Sequence, residues 1–238
     1  MHAWNVTAGE AIAIQNSLRE MLVFDLDAWT PRTVAGIDVT ILPDRETLIA
    51  LILVVDFDSM EEIEIRWKTF RTTFPYVPGL LSFREGPVVM AAFEELRCRA
   101  DLLLLDGQGI AHPRGFGLAS HIGLLTELPS IGCAKTRLVG DYEMPGEQAG
   151  DSTILMHRND AVGRVVRTRT RVKPVFVSPG YRVTQDLAAQ LTLLCCRGRR
   201  SPEPIRRAHI RVNEVRRDLM VRAMEDRKST RLNSSHRT

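Results

Sequence analysis

The first part of the chain predicts one helix followed by three strands. Thr7 and Glu10 have the spacing of a capping box, and apolar residues at helical intervals follow them, so a helix is expected over residues 7–22. Residues 32–41 and 47–57 are rich in β-branched side chains and predict an antiparallel hairpin, after which the alternating segment 60–70 predicts a third strand.

The remaining pattern alternates helices with strands. Residues 74–80 read FPYVPGL and are expected to form a stiff loop, because two prolines flank the Tyr-Val pair. Ser82 and Glu85 are spaced as a second capping box for a helix over 83–97. Later helices are predicted at 117–128, 184–196 and 203–224, and strands at 101–107, 130–134, 152–158 and 163–178.

This order of elements predicts a fold class. Meandering strands pair in antiparallel fashion, whereas strands separated by helices pair in parallel, so the chain should build a mixed sheet. We therefore expect a single α/β domain over residues 1–225, with helices on both faces of the sheet.

Composition agrees with an ordinary globular protein. The chain of 238 residues is 44% hydrophobic and 26% charged, which excludes collagen-like, disordered and disulfide-scaffold classes. Four cysteines lack metal-site spacing and are interpreted as reduced core residues, which suits the cytoplasm. The longest apolar run, 48–55, is far shorter than the roughly 18 residues of a membrane span, so we expect no membrane association.

The last thirteen residues, 226–238, differ from the rest of the chain. They read DRKSTRLNSSHRT, lack apolar periodicity, and resemble a translated sequencing adapter, so we interpret them as a non-native, disordered tail. Without them the net charge falls from +3 to zero, with 28 basic and 28 acidic residues. The alternative is a natural basic tail that contacts nucleic acid.

Four carboxylates stand within or at the ends of predicted elements: Asp38, Asp56, Glu85 and Asp106. Buried carboxylates are costly unless they are paired or bind a cation. Three of them without a cysteine or histidine cluster favour Mg²⁺ or Mn²⁺ and phosphate chemistry. Each also has a structural alternative. Asp38 could pair with a neighbouring arginine or lysine in the sheet, Asp56 could end a strand, Glu85 could cap a helix and Asp106 could cap a turn.

Longer motifs carry a resemblance. The segments VAGIDVT, PYVPGLLSFREGP, LLLDGQGIAHPRGFGLASHIG, GCAKTRL, VSPGYRV and PEPIRRAH occur in this order between Val34 and Val215. Together they closely resemble the endonuclease V family, which acts at deoxyinosine. The resemblance implies an RNase H-like fold and magnesium-dependent hydrolysis of the second phosphodiester bond on the 3′ side of the lesion.

The same resemblance implies roles for individual residues. Asp38, Glu85 and Asp106 match the family's metal-binding carboxylates, while Lys135 and His209 match a lysine and a histidine of the catalytic centre. Lys135 could otherwise be a surface lysine, and His209 a polar residue on the last helix. The residues matched to substrate binding are Tyr76, which acts as a wedge, its neighbours Pro75 and Pro78, and the base-pocket residues Gly79, Leu81, Gly107 and His112.

Two positions depart from the family pattern, and arginines extend the basic surface. Gln108 and Tyr181 stand where the family often has histidine, from which we expect altered substrate tuning. The nine arginines between Arg197 and Arg222 are interpreted in part as a phosphate-tracking surface, with Arg84 and Arg114 as further candidates.

The sequence thus predicts a monomeric endonuclease that binds deoxyinosine in DNA and initiates repair of deaminated adenine. Two alternatives stay open. The substrate could be inosine in RNA, because the contacts to the 2′-hydroxyl cannot be identified in the sequence. The chain could also be a non-catalytic nucleic-acid-binding protein.

Overall fold

The computed structural model describes the backbone of residues 2–235 and the side chains of residues 2–225. Strands and helices within this range follow the predicted alternation. The helices are α1 (Ala8–Arg19), α2 (Leu81–Phe93), α3 (Leu118–Thr126), α4 (Gln185–Cys196) and α5 (Glu203–Ser235). The strands are β1 (Thr33–Ile41), β2 (Thr47–Asp56), β3 (Glu62–Arg71), β4 (Leu102–Leu105), β5 (Ser130–Ala134), β6 (Ser152–His157), β7 (Asp160–Val166) and β8 (Val175–Tyr181).

All of these strands join one open sheet in the order β3-β2-β1-β4-β5-β8-β7-β6. β1, β4 and β5 run parallel, and the other neighbouring strands pair in antiparallel fashion. The predicted mixed sheet and the β1–β2 hairpin are therefore confirmed.

Helices cover both faces, as predicted. On one face, Leu187 of α4 and Val212 of α5 pack against Leu104 and other inward residues of the central strands. On the other face, Val88 of α2 and Ile122 of α3 pack in a second apolar cluster. Because β4 is covered on both sides, its four leucines are all buried, which explains the continuous apolar run in the sequence.

The amino-terminal helix is confirmed with its cap. The backbone N–H of Glu10 donates to the Thr7 hydroxyl at 3.3 Å, and the backbone N–H of Thr7 donates to the Glu10 carboxylate at 2.7 Å. This reciprocal pair satisfies two donors that the first helical turn would otherwise leave unpaired.

The second predicted capping box is wrong. α2 begins at Leu81 with Leu80 at the N-cap and has no side-chain cap, and it ends at Phe93 instead of residue 97. Ser82 lies inside the first turn and is 2% exposed, so its hydroxyl cannot serve as the cap. Glu85 is therefore not needed as a capping partner.

The predicted strand 163–178 is also wrong, because two strands, β7 and β8, occupy this stretch and a loop separates them. Arg167 explains the interruption. Its side chain is buried and donates to the carbonyls of Gly146, Val172 and Pro145 at 2.8, 2.6 and 2.9 Å, which fixes a turn around the guanidinium.

The cysteines take the predicted core positions, with one exception. Cys133, Cys195 and Cys196 are buried, Cys98 is half-buried, and all four are free thiols. Burial raises the pKa of Cys195 and of Cys196 to about 12, so both are un-ionised at neutral pH. Within the described residues, no helix is long and apolar enough to cross a membrane.

The segment 226–238 is only partly described. The backbone of α5 continues to Ser235 in place of the expected disorder, and residues 236–238 lie outside the described residues. That the segment is non-native stays a prediction.

Candidate active site

Two of the candidate carboxylates lie on neighbouring parallel strands: Asp38 is inside β1, and Asp106 directly follows β4. Ile37 of β1 pairs with Leu105 of β4, and the N–H of Asp106 donates to the Ile37 carbonyl at 3.3 Å. Asp38 and Asp106 are each the next residue along. Because side chains alternate across a sheet, the two carboxylates fall on the same face, where the pairing of β1 with β4 ends.

Glu85 of α2 and His209 of α5 reach the same place from two helices. A cavity of about 290 Å³ is lined by Asp38, Glu85, Asp106 and His209. Its apolar walls are Ile37, Val39, Leu81 and Leu118. The fold therefore brings together the three predicted carboxylates and the predicted histidine.

The carboxylates influence one another electrostatically. Burial, and then the nearby Asp38, raises the pKa of Glu85 to about 8. Burial and the neighbouring Asp106 also raise the pKa of Asp38, against a hydrogen bond from His209 that lowers it. A cation among the three would reverse these shifts, since positive charge favours the ionised carboxylate.

The chemistry of this set fits a hard divalent cation, because oxygen donors dominate it and they repel each other without a counter-charge. Across residues 2–225, no group of three His, Cys, Asp or Glu side chains already lies close enough together to hold a metal ion. The fit therefore rests on the donor types and on the shared cavity.

His209 contacts Asp38 directly. Its Nδ1–H donates to Asp38 Oδ2 at 2.8 Å, and the Asn213 side-chain amide lies 3.4 Å from Nε2. The Asp38 carboxylate therefore fixes the orientation of the ring. The alternative that His209 is simply a polar residue of the last helix therefore does not account for this contact.

Lys135 follows β5 and pairs with Asp106. The distance from its Nζ to Asp106 Oδ2 is 2.8 Å, and 46% of the lysine side chain stays exposed. Lys135 therefore presents a positive charge next to the acidic cavity. By contrast, Asp56 accepts from the N–H groups of Asp58 and Ser59 at 3.0 and 2.8 Å, so the strand-end interpretation is right for this residue.

A second cavity, of about 530 Å³, adjoins the acidic one and shares Leu81, Asp106 and Leu118 with it. It collects all but one of the predicted substrate-binding residues. Those lining it are Tyr76, Pro78, Gly79, Leu81, Gly107 and His112. Pro75 does not line the cavity but precedes Tyr76, whose ring is 72% exposed at the rim.

His112 has a defined protonation state. Burial lowers its pKa to about 4, with the nearby Arg114 as a second cause, so the ring is neutral at pH 7. Nδ1 accepts from the Arg114 backbone N–H at 3.2 Å, which leaves the proton on Nε2, and Nε2 donates to the Gly79 carbonyl at 3.0 Å.

Five polar residues that line this second cavity were not predicted as binding residues: Gln15, Ser82, Gln108, Thr136 and Arg137. Among the described residues, the buried Ser82 hydroxyl and the Gln108 side-chain carbonyl lack a hydrogen-bond partner. Periodicity gives no sign of such positions. Ser82 could have been suspected only because a serine lies inside an apolar helical turn.

Many arginines of the carboxy-terminal region are engaged inside the protein. Arg206 pairs with Glu203, Arg207 with Glu62, and Arg200 donates to the Lys135 and Lys173 carbonyls. Arg84 likewise donates to the Phe74 and Arg45 carbonyls. The predicted phosphate-tracking surface is therefore reduced, since these side chains serve structure first.

Comparisons with known proteins agree with the geometry. The endonuclease V family model matches residues 16–210. The endonuclease V of Gloeobacter violaceus is 46% identical over 91% of this chain and 89% of its own length. The crystal structure of a Streptomyces avermitilis endonuclease V superimposes with a TM-score of 0.86 at 41% identity, covering 93% of this chain and 96% of that chain.

A Ciona intestinalis endonuclease V was solved in complex with a 24mer DNA containing an inosine followed by a ribo-adenosine. It has the same fold, with a TM-score of 0.78 at 23% identity over 89% of this chain and 98% of that chain. The family match includes the three carboxylates, Lys135, His209 and the residues predicted to bind substrate, and this chain is a member of the endonuclease V family of nucleases.

Proposed function

We propose that this protein is a metal-dependent endonuclease that recognises deoxyinosine in DNA and hydrolyses the second phosphodiester bond on its 3′ side. The products would carry 5′-phosphate and 3′-hydroxyl ends, and the nick would initiate repair of deaminated adenine. One observation carries the proposal: the acidic cavity and the second cavity share a wall at Asp106. A base held in the second cavity therefore brings the backbone of its own strand to the acidic cavity.

Asp38, Glu85 and Asp106 would hold Mg²⁺, with Mn²⁺ as a substitute. A divalent cation bound by carboxylates stabilises the charge of a phosphate and activates water near neutral pH. Asp38 lies within β1, Asp106 directly follows β4, and α2 contributes Glu85. The three side chains would have to move closer together to bind the ion.

Lys135 and His209 act from opposite sides of the carboxylates. The Lys135 ammonium, which lies 2.8 Å from Asp106, is placed to neutralise charge that develops on the scissile phosphate. His209, oriented by Asp38, presents its Nε2 edge, which can accept a hydrogen bond from a water molecule. Both roles place a hydrogen-bond donor or acceptor where charge changes during hydrolysis.

The second cavity would receive the extruded base. Hypoxanthine differs from adenine by an oxygen in place of the amino group, so the pocket must offer a donor to that oxygen. Backbone N–H groups from Gly79 to Leu81 and at Gly107 are the candidates, while Tyr76 on its proline-stiffened loop would fill the gap left in the stack. The departure at Gln108 falls within this cavity and supports altered substrate tuning.

Inosine in RNA is the second candidate substrate. The Ciona intestinalis protein was solved with DNA in which a ribonucleotide follows the inosine, so a member of the family accommodates a 2′-hydroxyl next to the lesion. We further propose that the fold is RNase H-like and that the protein acts as a monomer. We also propose a cytoplasmic location, which is consistent with its free thiols.

The test uses labelled strands that each contain one inosine, as duplex DNA, single-stranded DNA and RNA, with adenine-containing strands as controls. Incubation with Mg²⁺, Mn²⁺ or a chelator, followed by mapping of the product ends, gives substrate and position together. The proposal expects Mg²⁺-dependent cuts one nucleotide past the inosine in DNA. Cuts confined to RNA would support the second candidate, and cuts in the presence of chelator would contradict the metal role.

A further inference from the structure

The carbonyl oxygen of Gly79 is an unusually crowded acceptor. The Gln15 side-chain amide donates to it at 3.1 Å and His112 Nε2 at 3.0 Å, and Arg114 Nη2 also donates to it. A carbonyl oxygen has two lone pairs, so three donors are one more than it usually accepts. Gly79 ends the loop that carries Tyr76, and its carbonyl is where that loop is attached to the body of the protein.

The donors also bind one another. Arg114 Nε donates to Gln15 Oε1 at 2.5 Å, and Gln15 Nε2 also donates to the Phe116 carbonyl at 3.2 Å. Gln15 is 1% exposed, so both ends of its amide are used inside the protein. The network joins three segments that are distant in sequence: α1, the loop 74–80 and the loop 107–117.

The attachment is close enough to require glycine. Gly79 has a φ of +78°, and a Cβ built there would lie 2.8 Å from Arg114 Nη2. The same loop is also held by apolar contacts, since Phe74 and Leu80 pack against Ala11 of α1 and Phe83 of α2. Helix α1 therefore supports the loop through both polar and apolar contacts.

We propose that Gln15 and Arg114 are positioning residues that fix the Tyr76 loop and the Gly79–Leu81 backbone for base recognition, an inference that rests on the proposed function. Tyr76 is 72% exposed, so little other than the loop's own attachment holds it in place. A loop that is ordered before binding spares the substrate the cost of ordering it. Loosening the attachment would therefore weaken recognition of the lesion more than it slows hydrolysis.

The network also changes the interpretation of Arg114. The sequence suggested a phosphate contact, but Arg114 uses Nε and Nη2 on Gln15 and Gly79. A guanidinium is suited to this task because its planar fork donates to two partners at once. A phosphate contact would instead make binding depend on salt through this residue.

The first experiment measures amide hydrogen exchange of peptides covering residues 74–83. Gln15→Glu keeps an acceptor for Arg114 but cannot donate to Gly79 or Phe116, and Arg114→Met removes the fork. Asn16→Ala, at an exposed position on the same helix, and the exposed Arg169→Met serve as matched controls. We expect faster exchange in 74–83 for the first two variants alone, with the rest of the chain unchanged.

The second experiment measures cleavage kinetics on the inosine strand and its adenine counterpart. We expect KM for the inosine strand to rise about tenfold in Gln15→Glu, with kcat within about twofold and a smaller preference for inosine over adenine. Arg114→Met should raise KM in the same way, and Arg114→Lys, which retains one donor, should raise it less.

Three results would overturn the inference: unchanged exchange in 74–83, loss of protection across the whole chain, or a KM effect of Arg114→Met that disappears at high salt without any exchange change. Failure of the wild-type protein to cut inosine strands would refute the proposed function instead. The exchange data would still decide whether Gln15 and Arg114 hold the loop.

Discussion

At the residue scale, Lys135 lines the second cavity and pairs with Asp106, which both cavities share. A positive charge there stabilises the developing charge of the phosphate more than the bound ground state. We predict that Lys135→Met lowers kcat by about a hundredfold or more, with substrate affinity changed much less.

Single-turnover cleavage and a binding assay in Ca²⁺ separate the two effects. Lys173→Met, at an exposed position outside both cavities, is the matched control and should cleave normally. Equal losses in the two lysine variants would show that the effect is general charge removal.

His121 supports a pH prediction at the same scale. It is fully buried, in ring contact with His2, Trp4, Phe83 and Phe116, and burial, together with His2, lowers its pKa from 6.5 to about 3. Since the folded state holds the ring neutral, its contribution is complete above pH 6.5. It is lost as the pH falls towards 3, because the unfolded chain takes up the proton first.

We therefore predict that His121→Phe flattens the fall of unfolding free energy between pH 6.5 and 5, by about 1 kcal/mol per pH unit. Urea titrations at several pH values measure it. Parallel pH profiles for wild type and variant would contradict a neutral, buried His121.

At the element scale, the close approach of α5 to β1 positions His209. A Cβ at Gly36 would lie 2.2 Å from the Pro204 carbonyl group, so the helix begins directly on the strand. Two residues along β1 advance about 6.6 Å and five along α5 about 7.5 Å. Asp38 and His209 therefore arrive opposite each other.

We predict that Gly36→Ala destabilises the fold by about 1–3 kcal/mol, because the added methyl must displace the helix backbone. Gly9→Ala is the matched control: it lies in α1 with nothing within 4 Å of the new methyl, and it should stabilise the protein slightly. Equal denaturation midpoints for Gly36→Ala and wild type would contradict the packing described.

Several helices and strands could be predicted from the sequence, and others could not. The Thr7 cap, the β1–β2 hairpin and the buried β4 follow from local periodicity, and all are confirmed. The start of α2 was missed because the Pro78–Gly79 turn sets it without a side-chain cap, so Ser82 falls inside the helix. The break between β7 and β8 was missed because the Arg167 side chain is held in the interior by hydrogen bonds to carbonyls that are distant in sequence.

The site divides in the same way. Asp38, Glu85 and Asp106 could be suspected from their places in the predicted elements, and the family resemblance supplied Lys135 and His209, all of which the fold brings together. Gln15 could not have been found, because its partners lie 64 and 99 residues away and the helical pattern treats it as an ordinary polar residue.

At the scale of the whole molecule, the segment 226–238 can be tested by deletion. The family match ends at residue 210, and the carboxylates, Lys135, His209 and the predicted substrate-binding residues all lie before that point. We predict that a chain ending at residue 225 keeps the thermal midpoint and the cleavage rate of the full chain. A large loss of either would show that the segment belongs to the functional protein.

Cleavage next to inosine depends, in our proposal, on a divalent cation held by the carboxylates of Asp38, Glu85 and Asp106. The most direct measurement compares wild type, Asp38→Asn and the exposed matched control Asp58→Asn on one inosine-containing duplex with Mg²⁺, recording binding and product ends in parallel. We predict a cut one nucleotide past inosine for wild type and Asp58→Asn, and binding without cutting for Asp38→Asn. Normal cutting by Asp38→Asn, or binding without cutting by wild type in any divalent metal, would contradict it.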